Sequence, residues 1–168
     1  MRFAYADPPY IGQARRHYGC GEVDHARLIA DLQAYDGWAL SCSSPSLREL
    51  LPMCPPETRV MAWVKPFAIF KPNVNPAYAW EPVLVKVGPR KRERTEPTVR
   101  DWVSENITLR RGLSGAKPER VCMWLFEVMG MTPEDELADL FLGTGAVTAA
   151  WEKWKSQLTI SVGEQGDR

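Results

Sequence analysis

Short apolar runs recur along the chain, separated by breaks rich in glycine, proline and charge. Phe3-Ala4-Tyr5-Ala6 is too short for a helix and stops at a pair of prolines, so it reads as a buried strand. Over 25–34 the apolar residues Leu28, Ile29 and Leu32 fall on one helical face, with Asp24 placed to cap the start. His25, at that start, is expected on the surface. Trp38-Ala39-Leu40-Ser41-Cys42 predicts a second buried strand, 46–51 a short helix stopped by Pro52, Pro55 and Pro56, and Arg59-Val60-Met61-Ala62-Trp63-Val64 a third strand. An irregular loop, 65–72, leads to a fourth strand over 78–87. These runs do not alternate strictly, which fits strands covered on both faces, as in an α/β sheet.

The segment 88–105 is the polar break, with Arg90, Lys91, Arg92, Arg94 and Arg100 set against Glu93, Glu96, Asp101 and Glu105. Ile107-Thr108-Leu109 predicts a short strand or extended lead into 112–118. A helix is expected from Pro118, whose missing N–H is an orphan at that place in any case. Val121, Trp124, Leu125 and Val128 give it an apolar face, and Gly130 is suited to end it. After a turn at 132–135 comes a strand-like run, 136–142, a Gly-x-Gly turn at 143–145, a helical stretch 146–155, and a last strand expected over 158–162.

The length of 168 residues fits one domain, 1–168, with a single core. A hydrophobic share of 45% with 25% charged residues is ordinary for a soluble globular chain. No apolar run approaches the ~20 residues of a membrane span, and Met1 leads into the first strand without a signal-peptide pattern, so a cytoplasmic location is expected. Cys20, Cys42, Cys54 and Cys122 form no C-x-x-C pair and are accompanied only by His17 and His25, so zinc spacing is absent and no metal is expected. They read as free thiols, with Cys42 and Cys122 in the core. A formal net charge of zero argues against a generally basic nucleic-acid coat and leaves room for a local patch. Such a patch is expected in the loop 88–105, where Lys and Arg can neutralise phosphates.

The candidate chemistry begins at Asp7-Pro8-Pro9-Tyr10, where the first strand ends. Each proline fixes φ near −65° and lacks an N–H, so the carbonyls of Asp7 and Pro8 point in restricted directions. A carboxylate, aimed carbonyls and a ring are what is needed to hold a planar, amine-bearing base. Taken alone, the tetrapeptide is also an ordinary strand-ending turn. The following loop carries Arg15, Arg16 and Tyr18, expected to meet phosphate and base. Glu81, inside the fourth strand, either faces the cleft or makes a strand-end salt bridge. The Gly143-Thr144-Gly145 turn lets backbone approach a ligand at a helix start, and it lacks the third glycine of the dinucleotide fingerprint.

With Asp7 to Tyr10, the Gly115-Ala116-Lys117-Pro118-Glu119 segment and Asp139-Leu140-Phe141-Leu142-Gly143-Thr144-Gly145 in view, the chain resembles the S-adenosylmethionine-dependent amino-methyltransferases of DNA, in the permuted order with the catalytic motif first. The resemblance covers nearly the whole chain. It implies a Rossmann-like α/β methyltransferase fold, mainly parallel, flanked by helices and circularly permuted. It implies methylation of adenine N6 in DNA on a base turned out of the stack. The catalytic residues would be Asp7, Pro8, Pro9 and Tyr10: Asp7 and the Pro8 carbonyl accept the amine hydrogens, and Tyr10 stacks on the base. The cofactor would lie against Asp7, Lys117, Pro118, Asp139, Leu140, Phe141, Gly143, Thr144 and Gly145, with Lys117 near its carboxylate. Arg15, Arg16, Tyr18, Arg90, Lys91, Arg92 and Arg94 would bind nucleic acid.

The chain departs from the family's pattern in places. Leu113 and Gly115, with Ser114 between, stand where the family carries His and Ser or Thr, and Glu164 is a poor fit for the acid that holds the ribose. The recognition insert is short, so specificity is low or a partner or second subunit supplies contacts. Asp at the first motif position favours adenine over cytosine N4. Cytosine N4 or RNA methylation stands as the alternative, and from another class a nucleic-acid-binding module that kept the fold and lost catalysis.

Overall fold

The computed structural model describes residues 1–12, 21–67, 73–108 and 116–163, the last five of these through the backbone alone. The described strands form one six-stranded sheet: β1 (Arg2–Ala6), β2 (Gly37–Ser41), β3 (Arg59–Val64), β4 (Trp80–Lys86), β5 (Trp102–Ser104) and β6 (Glu136–Asp139), in the spatial order β5-β3-β4-β2-β1-β6. β1 pairs in parallel with both β2 and β6, and β3 in parallel with β5. β4 runs against its neighbours β2 and β3, so the sheet is parallel except for that strand.

Helices cover both faces. α1 (His25–Leu32) and the short α2 (Leu47–Leu50) lie on one side, where Ile29, Leu32 and Leu50 pack on Ala4, Ala6, Trp38, Leu40 and Leu84. α3 (Glu119–Met129) and α4 (Ala146–Gly163) lie on the other, over Phe3, Tyr5, Ala39, Met61, Trp63, Val83 and Val85. Alternate residues of each strand therefore enter opposite cores, as the period of two in a strand requires. Phe126 of α3 meets Trp151 of α4 edge-on at 5.1 Å between ring centroids, and Trp151 stacks on Trp154 at 5.3 Å, which fastens the two helices together.

The expected helix caps are present. Asp24 accepts from the Arg27 N–H at 2.9 Å, and Gly130 closes α3 in the left-handed conformation. Pro118 stands at the N-cap of α3, one place earlier than the first helical position. Three expectations are corrected. The polar break 88–105 contains β5, because Val103 is buried against Trp63 and the sheet edge accepts the short segment. The strand expected at 158–162 is instead the last turns of α4: no proline or glycine interrupts 146–162, and Ala150, Trp151, Trp154 and Leu158 continue one helical face. His25 is buried, its Nδ1 lying 2.9 Å from the Val23 carbonyl oxygen. Cys42 and Cys122 are buried and free. Arg15, Arg16, His17, Tyr18, Cys20, Leu109, Leu113, Ser114, Gly115 and Glu164 lie outside the described residues. No helix among the described residues is long and apolar enough to cross a membrane.

Candidate functional site

The carboxyl ends of β1 and β6 lie side by side, because Tyr5 pairs with Asp139 and the Leu140 N–H donates to the Tyr5 carbonyl at 2.9 Å. Asp7 to Tyr10 leave one strand and the turn 140–145 leaves the other. In open α/β sheets ligands bind at this edge, outside the carboxyl ends of the strands.

Above β1 the structure assembles four charges of alternating sign. The Lys117 ammonium, just ahead of α3, lies 3.1 Å from Asp7 Oδ2 and 2.5 Å from Glu81 Oε1, and Lys65 Nζ lies 2.9 Å from Glu81 Oε2. Both ammonium groups also sit over the Trp63 ring, at 4.3 Å for Lys65 and 5.3 Å for Lys117. The grouping follows from strand parity. Glu81 continues the positions of Val83 and Val85, and Lys65 those of Met61 and Trp63, so the charges emerge on the α3 face where the apolar core ends. Because β4 is reversed, its first residues reach the edge where the other strands finish, and Glu81 stands opposite Trp63. Beneath the cluster the Tyr5 hydroxyl lies 2.9 Å from Ser41 Oγ.

Burial opposes the charge on Glu81, but Lys117 and Lys65 outweigh it and bring the carboxyl down to about 2. Burial also disfavours the Lys117 cation, yet the surrounding groups, Asp7 and Glu81 among them, hold its pKa well above the ordinary lysine value. Asp7 is raised above the usual carboxylate value by burial, with Lys117 opposing the rise. The Tyr10 phenol is raised by burial and by the Glu81 charge, so it stays neutral.

Glu81 supplies a pH test. Its carboxyl titrates near 4.5 unfolded and near 2 folded, so its contribution to stability is complete above the unfolded value and is lost as pH falls through the folded one. Glu81→Gln is expected to lose on the order of 3 kcal/mol at neutral pH. In urea titrations the gap from the native protein should narrow between pH 4.5 and pH 2. A gap independent of pH would show that the ion pairs are not its source.

Around the second turn, Gly143 and Gly145 adopt positive φ of 46° and 72°. A Cβ on Gly145 would meet open space, so its conformation rather than crowding requires glycine. Asp139 Oδ2 accepts from Thr148 Oγ1 at 3.2 Å, while its Oδ1 is buried with no hydrogen-bond partner. Burial raises the Asp139 carboxyl above its usual value, Thr148 opposing. Leu140 and Leu142 stand exposed at the lip, and Phe141 leans on the α1 side of the core. An unpaired carboxylate oxygen suits a cationic amine, the amino end of the 18-residue α4 suits an anionic group, and the apolar lips suit a flat apolar part of the same ligand. No group of three or more His, Cys, Asp or Glu among the described residues could hold a metal ion.

Asp7, Pro8, Pro9, Tyr10, Lys117, Pro118, Asp139, Leu140, Phe141, Gly143, Thr144 and Gly145 thus occupy one edge of the sheet. The Lys117 ammonium is directed at Asp7 and Glu81, whose negative charges a buried cation needs. Arg90, Lys91, Arg92 and Arg94 do not join the site. Their loop follows the far end of the reversed β4, ~20 Å along the strand from Glu81 at about 3.3 Å per residue. There Arg90 binds Asp135 at 2.9 Å and the Gly130 carbonyl at 2.7 Å, and Asp135 also holds the Met1 ammonium at 2.8 Å. Lys65 and Trp63 belong to the site without having been singled out in the sequence. The signal for them is parity, a lysine two places beyond Trp63 in an otherwise apolar strand.

No protein-family model matches the chain, and no curated protein matches it. Among solved structures it is similar to M1.HpyAVI in complex with SAM, with a TM-score of 0.62 at 15% identity over 92% of this chain and 78% of that one. It is also similar to M1.HpyAVI without the ligand, with a TM-score of 0.59 at 15% identity over 91% and 76%. The likeness shows a shared α/β fold.

Proposed function

We propose that this chain transfers a methyl group from S-adenosylmethionine to the exocyclic N6 of adenine in DNA, acting on a base turned out of the stack. One observation carries the reading: Asp7-Pro8-Pro9-Tyr10 and the glycine turn leave adjacent hydrogen-bonded strands at the same edge. The resemblance of both motifs to the amino-methyltransferases, and a shared fold with a protein solved in complex with SAM, support it. The tetrapeptide precedes the glycine turn in the chain, the order of the permuted enzymes.

When bound, S-adenosylmethionine supplies a methyl group activated by its sulfonium. Asp139, through its unpartnered Oδ1, and the turn 143–145 would hold it, with Leu140, Phe141 and Leu142 along its apolar part. The Asp7 carboxylate and the Pro8 carbonyl accept the two amine hydrogens of the base and so aim the nitrogen lone pair. Tyr10, neutral and partly buried, stacks on the ring. Lys117 fixes Asp7 from behind through Oδ2 and keeps it from turning into the core. Catalysis is then orientation with preset electrostatics, and the amine proton leaves after the nitrogen has become cationic. Recognition of a target sequence is left to a second copy or a partner protein, since Arg90 to Arg94 follow the far end of β4.

The deciding measurement is transfer of labelled methyl to mixed-sequence DNA, followed by digestion to nucleosides and separation by mass. Label in N6-methyladenine is the expected result; label in N4-methylcytosine or in RNA alone would replace the substrate, and binding without transfer would identify an inactive module. Gly145→Val tests the cofactor turn. A β-branched residue at φ 72° is strained by about 1–2 kcal/mol, which calorimetry should show as a fall of about 5- to 30-fold in affinity for S-adenosylmethionine. Unchanged affinity would remove the turn from the site.

A further inference from the structure

Lys117 has two carboxylate partners and is not placed evenly between them. Its Nζ lies 2.5 Å from Glu81 Oε1 and 3.1 Å from Asp7 Oδ2, and its side chain is only 7% exposed, so water takes little part in the division. Glu81 is shared in turn, because its other oxygen, Oε2, accepts from Lys65 Nζ at 2.9 Å. The contacts therefore run Lys65, Glu81, Lys117, Asp7, alternating in sign, with the Asp7 carboxylate at the end of the row.

We propose that Glu81 is a positioning residue for the transfer: by taking the nearer place on Lys117 it keeps that cation from engaging Asp7 fully, and the Asp7 carboxylate is left able to accept the amine. The inference rests on the methyltransferase reading of the site. A carboxylate that faces an ammonium alone is a weaker acceptor for anything else, since the cation competes for its lone pairs and lowers its basicity. Lys117 needs a counter-charge in its buried place, and Glu81 supplies one from a strand 36 residues away in the chain. Lys65 limits the effect from the other side, because the part of the Glu81 charge that it holds is withheld from Lys117. Removing Glu81 and removing Lys65 should therefore move Asp7 in opposite directions. Without the Glu81 charge, Lys117 turns wholly on Asp7 and the carboxyl titrates lower. Without Lys65, Glu81 draws Lys117 away from Asp7, a second cation acting on Asp7 is lost, and the carboxyl titrates higher. The other titratable groups acting at this place, the Tyr5 and Tyr10 phenols and the Cys42 thiol, are all raised by burial and stay neutral as Asp7 titrates.

The test is titration of the Asp7 carboxyl by NMR in protein carrying isotope-labelled aspartate, its signal being the one absent from Asp7→Asn. In Glu81→Gln the midpoint should fall by about one pH unit, and in Lys65→Met it should rise by about half a pH unit. Single-turnover methyl transfer should follow. Glu81→Gln is expected to be on the order of ten-fold slower at neutral pH, with the acid limb of its rate profile moved down. Lys65→Met should show the acid limb moved up, and both should bind S-adenosylmethionine within a few-fold of native. Should Glu81→Gln be too unstable to titrate, Lys65→Met carries the test, because Lys65 is the more exposed of the two lysines. Midpoints that stay in place, or that move the same way in both variants, would overturn the proposal, since a merely structural role slows transfer and leaves the acid limb where it was. Midpoints that move as expected in a protein that transfers no methyl would keep the charge sharing and remove the catalytic reading; transfer by the native protein with unmoved midpoints would do the reverse.

Discussion

Asp7→Ala is expected to slow methyl transfer at least a hundred-fold in single-turnover measurements, with affinity for S-adenosylmethionine within a few-fold of native by calorimetry. Removing one preset polar group at a reacting centre has effects of about 10²–10³ in rate. The fold should tolerate the change, because Lys117 keeps Glu81 at 2.5 Å and the core beneath is untouched. Asp7→Asn should fall between the two, since it keeps a carbonyl acceptor and loses the charge facing Lys117. Near-native turnover in Asp7→Ala would show that the carboxylate does not hold the amine.

Lys117→Met should have the largest effect on stability. It removes the cation between Asp7 and Glu81 and leaves two carboxylates facing one another at a site where Glu81 is buried. Breaking a buried pair from one side costs about 3–5 kcal/mol, and here the loss should lie near the lower figure because Glu81 keeps Lys65. For a chain of this size that lowers the melting temperature by roughly 10 °C. Urea unfolding would show it as a lower midpoint with an unchanged slope. The double variant with Glu81→Gln should lose less than the sum of the two singles, since the second change removes the charge that the first leaves with Lys65 alone. Additive losses would mean that the two residues are not coupled.

Much of the architecture was legible because its strands are continuous apolar runs and its helices carry clear caps. β1, β2, β3, α1 and α3 lie within two residues of their expected ends at most places. The Asp7 and Gly143 motifs were legible as local patterns whose meaning depends on little beyond their neighbours. What escaped depends on pairing across the chain. Whether Glu81 points into a cleft or a salt bridge turns on which strand lies opposite, and it forms the bridge because Lys65 and Lys117 converge on it from elements 16 and 36 residues away. The direction of β4 cannot be read from its apolar residues, yet it decides that Arg90 to Arg94 emerge at the far edge. At 158–162, a β-branched composition outweighed the helical face that Trp151 and Trp154 had already begun.

The hairpin from β3 to β4 raises a question of registration. A connection of fifteen residues is too long for its turn geometry to set which residue pairs with which, and both strands are mostly apolar, so a slip by one position would look harmless to the hydrophobic effect. Glu81 removes that ambiguity. A slip by one would turn its carboxylate onto the face of Leu40, away from both lysines, while Lys65 and Lys117 would face each other across Trp63 with nothing between them. The ion cluster at the proposed site is thus also an alignment check during folding, admitting one pairing of the reversed strand and penalising its nearest competitors.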